Sequence, residues 1–183
     1  AQRTALHLSS AEGHLDVVRV LAEHGANPDS CWDVGSAPIH FAAAHGHENV
    51  VRFSAGRKAN LNAQDMYSHT PARVAAEGGR LEALRVLMEH KADIHAAGPL
   101  HGAAANNHPI LVRVLAEAKA ELDSFQDGLT AMIVACQGGH VEVVRQLLQL
   151  KAQLKPGATG VTPLSAAAQC GRTAVICLLA ECG

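Results

Sequence analysis

Thr4 to Asn27 reads TALHLSSAEGHLDVVRVLAEHGAN, two short helical patterns back to back, separated by Gly13-His14 and closed by Gly25-Ala26. The pattern returns as APIHFAAAHGHENVVRFSAGRKAN (Ala37 to Asn60) and TPARVAAEGGRLEALRVLMEHKAD (Thr70 to Asp93). It returns again as GPLHGAAANNHPILVRVLAEAKAE (Gly98 to Glu121), TAMIVACQGGHVEVVRQLLQLKAQ (Thr130 to Gln153) and TPLSAAAQCGRTAVICLLAECG (Thr162 to Gly183). The fourth residues of the six copies, His7, His40, Arg73, His101, Ile133 and Ser165, lie 33, 33, 28, 32 and 32 residues apart. A fixed period of this size means that each unit packs on its neighbours, and the expected fold class is an all-α solenoid.

These copies resemble the ankyrin repeat family, whose unit of about 33 residues carries T-P-L-H-x-A. The resemblance covers essentially the whole chain. It rests on six copies in register, not on any one motif such as APIHFAA or TPLSAAA. It implies a stack of helix-turn-helix units linked by β-hairpin loops, with hairpins near Pro28–Ser36, Leu61–His69, Leu122–Leu129 and Leu154–Val161. One repeat domain, 1–183, is expected, in units 1–31, 32–64, 65–96, 97–124, 125–156 and 157–183, the outer two truncated. Thr70 and Thr162 are placed to cap first helices, with Pro71 and Pro163 where a missing N–H costs nothing. Pro38 and Pro99 follow Ala37 and Gly98, which cap less well.

The composition agrees with a lengthwise core of small side chains: 48% hydrophobic but only 3% aromatic. A net charge of -2 argues against generic nucleic-acid binding. Five Cys with no paired spacing suggest reduced thiols in an intracellular, cytoplasmic setting. No apolar run is long enough to cross a membrane. The chain opens on Ala, three residues before a repeat motif. Its last unit ends in Ala174-Val175-Ile176-Cys177-Leu178-Leu179 without polar outward positions. Both features lead us to expect a piece of a longer protein.

Three departures from the repeat are informative. The spacing of 28 residues between Arg73 and His101 leaves only Asp93-Ile94-His95-Ala96-Ala97 as a connection, so a blunted or absent finger is expected there. Ser54 stands where other units place Leu87, Leu115 or Leu148, and Gly56 lowers helix propensity, so the second unit should be the softest inside the array. The left-handed turn after the second helix, usually Gly, holds Gly25 and then Lys58, Lys91, Lys119 and Lys151. A cation there is favoured by the helix macrodipole, which offsets part of the strain. A row facing an acidic partner is the other reading.

Twelve His invite a metal or catalytic reading. The family uses the TPLH imidazole in structural hydrogen bonds, which covers His7, His40 and His101. His14, His47, His108 and His140 open second helices. His45 and His47 are two apart, without the i, i+4 geometry of a zinc pair, and no H-E-x-x-H occurs. No C-x-x-C, catalytic dyad or phosphate-binding glycine motif is present, and Cys31 is the expected exposed thiol. No catalytic residue, metal or cofactor is therefore assigned.

What remains is surface. Resemblance implies binding in the groove between hairpin tips and first helices. The tips supply Trp32, Asp33, Val34, Met66, Tyr67, His69, Gln126 and Asp127; first-helix ends supply Glu12, His45, Glu77, Asn106 and Gln137. Trp and Tyr are frequent binding hot spots. Phe125 is expected to pack on the neighbouring hairpin instead. The expected function is non-catalytic binding of a protein partner by a monomer. The alternative is a regulatory or targeting domain of a larger enzyme or channel, acting in the same chain.

Overall fold

A computed structural model describes residues 3–32, 34–95 and 98–182, the side chain of Cys182 excepted. The chain forms two compact units, Ala1–Pro99 and Leu100–Gly183. In the first, α1 (Ala5–Glu12), α3 (Pro38–His45) and α5 (Pro71–Glu77) are the first helices of successive repeats. They alternate with second helices α2 (Leu15–Glu23), α4 (Glu48–Gly56) and α6 (Leu81–Glu89). The second holds all but the first residue of α7 (Pro99–Ala105), then α8 (Pro109–Glu117), α9 (Ala131–Gly138), α10 (Val141–Gln149), α11 (Pro163–Gln169) and α12 (Thr173–Cys182). The expected all-α solenoid is what forms.

Small residues set the spacing of the first helices. α1 packs on α3 and α3 on α5, and in the second unit α9 packs on α11. Ala42, Ala43, Ala72, Ala75, Ala76, Ala135, Ala166 and Ala167 are buried there. Second helices bury a stripe at i, i+1, i+3 and i+4, such as Ala83, Leu84, Val86 and Leu87, as an amphipathic helix must. Thr70, Thr130 and Thr162 accept the backbone N–H of the third helical residue (3.3, 3.3 and 3.0 Å), satisfying a donor the helix leaves orphaned.

The second helices end as expected. Lys58, Lys91, Lys119 and Lys151 have φ of 63°, 64°, 66° and 63°, beside 83° for Gly25. The next residue donates back five positions: Ala59 to Ser54, Ala92 to Leu87, Ala120 to Leu115 and Ala152 to Leu147. This closure corrects the register in the fifth repeat, where Leu147 rather than Leu148 matches Ser54. The Ala that follows each Lys is buried, so the turn gains an apolar anchor where the Lys itself stays exposed. Ser54 is on the buried face, as its position implies.

Two ladders tie repeats together. The residue opening a second helix reaches back to the end of the preceding first helix. His47 Nε2 donates to the Ala11 carbonyl (2.8 Å) and Arg80 Nε to that of Ala44 (3.0 Å). In the second unit His140 Nε2 donates to Ala105 (2.8 Å) and Arg172 Nε to Gln137 (2.8 Å). The carbonyls at a helix C-terminus have no intrahelical donor, and these side chains supply one. A Cβ at Gly78 would lie 2.9 Å from the Ala44 oxygen, so the close approach needs glycine. The other ladder runs between linkers: Asn60, Asp93 and Gln153 N–H donate to the side chains of Asp29, Asn62 and Asp123.

The hairpins are short. Isolated bridges join Trp32 to Ser36 and Gln126 to Leu129. Two backbone bonds close each of the others: Asp65 N–H to His69 (3.1 Å) with Ser68 N–H to Asp65 (2.9 Å), and Gly157 N–H to Val161 (2.8 Å) with Gly160 N–H to Gly157 (2.9 Å). Of the expected blunted finger, Ala96 and Ala97 lie outside the described residues.

Candidate partner-binding surface

In the first unit Asp65 organises a hairpin tip. Its carboxylate, only 7% exposed, accepts the backbone N–H groups of Tyr67 (2.9 Å) and His69 (2.9 Å), an Asx turn closed twice over. The neighbouring hairpin fixes the tip from the other side, because Met66 N–H donates to the Val34 carbonyl at 2.7 Å. Between these restraints the side chains of Met66 and Tyr67 stand 67% and 63% exposed. Two large side chains are thus held outward on a hydrogen-bonded backbone.

Behind the tip, His69 Nδ1 is 4.0 Å from carboxylate oxygens of both Asp65 and Glu77. Glu77, at the end of α5, also takes Arg73 Nε at 2.9 Å. The Tyr67 and His69 rings lie 6.0 Å apart. His40, in α3, accepts the Ala37 N–H at Nδ1 (3.1 Å). Nε2 therefore carries the ring proton and donates to the carbonyls of Ala63 (3.0 Å) and His69 (3.1 Å). His7 does the same one repeat earlier, between Thr4 N–H (3.3 Å) and the Ser36 carbonyl (3.2 Å). Burial pushes the pKa of both imidazoles down, against the opposing pull of their carbonyl partners.

Trp32 is half-buried. Its ring lies 5.7 Å from that of Phe41, and the His7 ring meets both edge-on, at 6.5 and 5.9 Å. The guanidinium of Arg3 sits over the two, 4.8 Å from the Trp32 ring centre and 5.4 Å from that of Phe41.

The structure thus joins Trp32, Val34, Met66, Tyr67, His69 and Glu77 of the expected residues into one continuous surface. Asp33 lies outside the described residues. Glu12 is exposed at the end of α1, and His45 is exposed at the end of α3, stacked on His47 at 6.0 Å. In the second unit Asp127 is exposed at a hairpin turn with φ 52°, and Gln126 is held by its backbone pair with Leu129. Asn106 is spent on the Gly102 carbonyl (3.0 Å), and Gln137 presents its own carbonyl to Arg172. Phe125 is 51% exposed with Lys155 over its ring, so the expected packing on the neighbouring hairpin does not bury it.

Geometry adds Asp65, Arg73, Phe41 and Arg3 to the surface. Asp65 had a signal, an Asp two residues before an exposed aromatic in a turn. Arg73 had one too, its i,i+4 spacing to Glu77 within α5; Phe41 and Arg3 owe their place to contacts between repeats that spacing alone does not show. Among the described residues no three His, Cys, Asp or Glu converge on a metal position. Among the described residues no helix is long and apolar enough to cross a membrane. Cys31 is exposed as expected, but so are Cys170 and Cys177; Cys136 is buried and its thiol pushed up to about 12.

A family profile described as ankyrin repeats matches residues 1–65, 27–98 and 100–183. The chain belongs to the ankyrin repeat family. The crystal structure of the human ASB11 ankyrin repeat domain is similar to it with a TM-score of 0.88 and 29% identity. That likeness covers 99% of this chain and 84% of the other. No curated protein sequence matches. Ankyrin repeats are generally protein–protein interaction modules, and ankyrin repeat domains are typically non-catalytic.

Proposed function

We propose that this ankyrin array is a non-catalytic module that binds a protein partner across the hairpin and first-helix face of its first unit, centred on Met66 and Tyr67. The observation carrying the proposal is the restrained tip. Two exposed large side chains sit on a backbone fixed by the Asp65 carboxylate and by the Val34 carbonyl. Because that order exists before binding, association loses little conformational entropy in the receptor. Trp32, Val34, His69 and Glu77 flank the centre.

The test replaces Tyr67 with a photo-crosslinking amino acid and, as a control, Asp16 on α2. A partner captured from Tyr67 and not from Asp16 is then purified and titrated against the unaltered chain and Met66→Ala/Tyr67→Ala by calorimetry. Loss of an anchor worth about 2 kcal/mol weakens binding roughly thirtyfold. Equal capture from both positions, with affinity unchanged in the double variant, would place the site elsewhere.

A further inference from the structure

We infer that Trp32 and Phe41 form a receptor for an arginine side chain of the partner, and that Arg3 of this chain fills it in the free protein. The two rings lie 5.7 Å apart and are inclined by 40°, an open wedge. Both distances from the Arg3 guanidinium, 4.8 and 5.4 Å, are inside the roughly 6 Å over which a cation is attracted to a ring face. A planar guanidinium also stacks on such rings, which an ammonium does not.

The wedge is built and its occupant is not. His7 closes the floor, fully buried, edge-on to both rings and bonded to the Ser36 carbonyl. Trp32 exchanges backbone hydrogen bonds with Ser36 in both directions, 3.0 and 3.2 Å. Arg3 precedes α1 and is exposed. Among the described residues no carboxylate lies within ion-pair distance of it. Ring contact attracts the guanidinium, and another arginine makes the same contact equally well. The Trp32 hairpin reaches Met66 through the Val34 carbonyl, so a chain lying on Met66 and Tyr67 passes beside the wedge. The source of the arginine, though not the receptor itself, rests on the proposed partner-binding face.

The size of the competition is calculable. A ring-stacked cation at an exposed site is favoured about two- to fivefold over its displaced state. The wedge is then empty in roughly one-sixth to one-third of molecules, and removing Arg3 raises the apparent affinity for an external arginine by roughly three- to sixfold.

Trp32 is the only tryptophan in the chain, so its fluorescence reports the wedge directly. The probe is the blocked tripeptide acetyl-Gly-Arg-Gly-amide, titrated into the intact chain and into Arg3→Ala; the citrulline tripeptide is the neutral control. The expected result is a saturable change with the arginine peptide, at roughly three- to sixfold lower concentration in Arg3→Ala, and none with citrulline. Phe41→Leu, with its circular dichroism unchanged, should need more peptide than the intact chain. Equal midpoints for the intact chain and Arg3→Ala, or a citrulline response matching arginine, would overturn the inference. Since the probe is a tripeptide, its failure leaves the cross-linking result at Tyr67 standing, and the reverse also holds.

Discussion

Acidification should unfold the first unit through its two buried imidazoles, and His40 allows the effect to be apportioned. The ring is neutral because Nδ1 accepts the Ala37 N–H and only Nε2 has a proton to donate. Adding a proton to Nδ1 breaks the first bond and puts a charge in a site that is 3% exposed. The folded pKa is accordingly lowered, whereas the unfolded chain titrates near 6.5. The unfolded state then binds more protons, so stability is fully present above about 6.5 and is lost as the pH falls toward the folded pKa. Within that window each such His contributes about 1.4 kcal/mol per pH unit. His7 and His40 together set a limiting slope of about 2.7 kcal/mol per pH unit. Urea unfolding followed by circular dichroism between pH 7.5 and 5 measures it. His40→Leu should start about 2–3 kcal/mol less stable, since two carbonyls lose their donor, and should show about half the slope. An unchanged slope in His40→Leu, or stability that rises on acidification, would refute the assignment.

Three other expectations are independent of pH. Lys91→Gly relieves a left-handed residue by about 1–2 kcal/mol but loosens the unfolded chain by about 0.4–1 and removes a favourable helix-end charge. A net gain of about 0.5 kcal/mol in urea unfolding, growing at 1 M salt as the charge effect is screened, is expected; a loss at either salt concentration would contradict this balance. Ser54→Leu should add about 1–2 kcal/mol, because Ser54 borders a cavity of about 20 Å³ lined also by Leu6, Val18, Pro38 and Phe53. A lower unfolding midpoint would show that the space cannot open to accept the larger side chain. Cys136, with its thiol pushed up to about 12, should resist an aromatic disulfide reagent in native buffer while Cys31, Cys170 and Cys177 react. Mass spectrometry of the labelled peptides distinguishes them, and prompt labelling of Cys136 would contradict its burial.

The fold was legible because the repeat states it six times, and the left-handed Lys residues were legible because the turn falls at a fixed offset. The site was only partly so. Met66 and Tyr67 stood out as large side chains in a tip, and the contacts around them follow from one acidic residue nearby. Trp32 read as a hairpin aromatic, hot spot and packing residue in equal measure, and it is half-buried against Phe41 and His7. Those residues come from three different segments, and only the stacking of one repeat on the next brings their rings together. Phe125 does meet the neighbouring hairpin, but through Lys155 above its ring rather than apolar cover, which leaves it 51% exposed. Sequence periodicity reports which side of a helix faces inward, but not how far a neighbouring loop reaches.

The side chains that reach back from each second helix have a further implication for how such a protein can be cut and rejoined. The donor that completes the α1 terminus, His47, is encoded with the repeat after it, and Arg80 stands in the same relation to α3. When one helix pair is excised, the pair left behind keeps its closure only if the repeat brought onto it carries such a donor, as the repeat with Arg80 does. A recombinant join keeps this hydrogen bond when the incoming segment brings His or Arg at this offset. The natural unit of exchange is the stretch from one such donor to the next, and it straddles the helix pairs that the eye would choose.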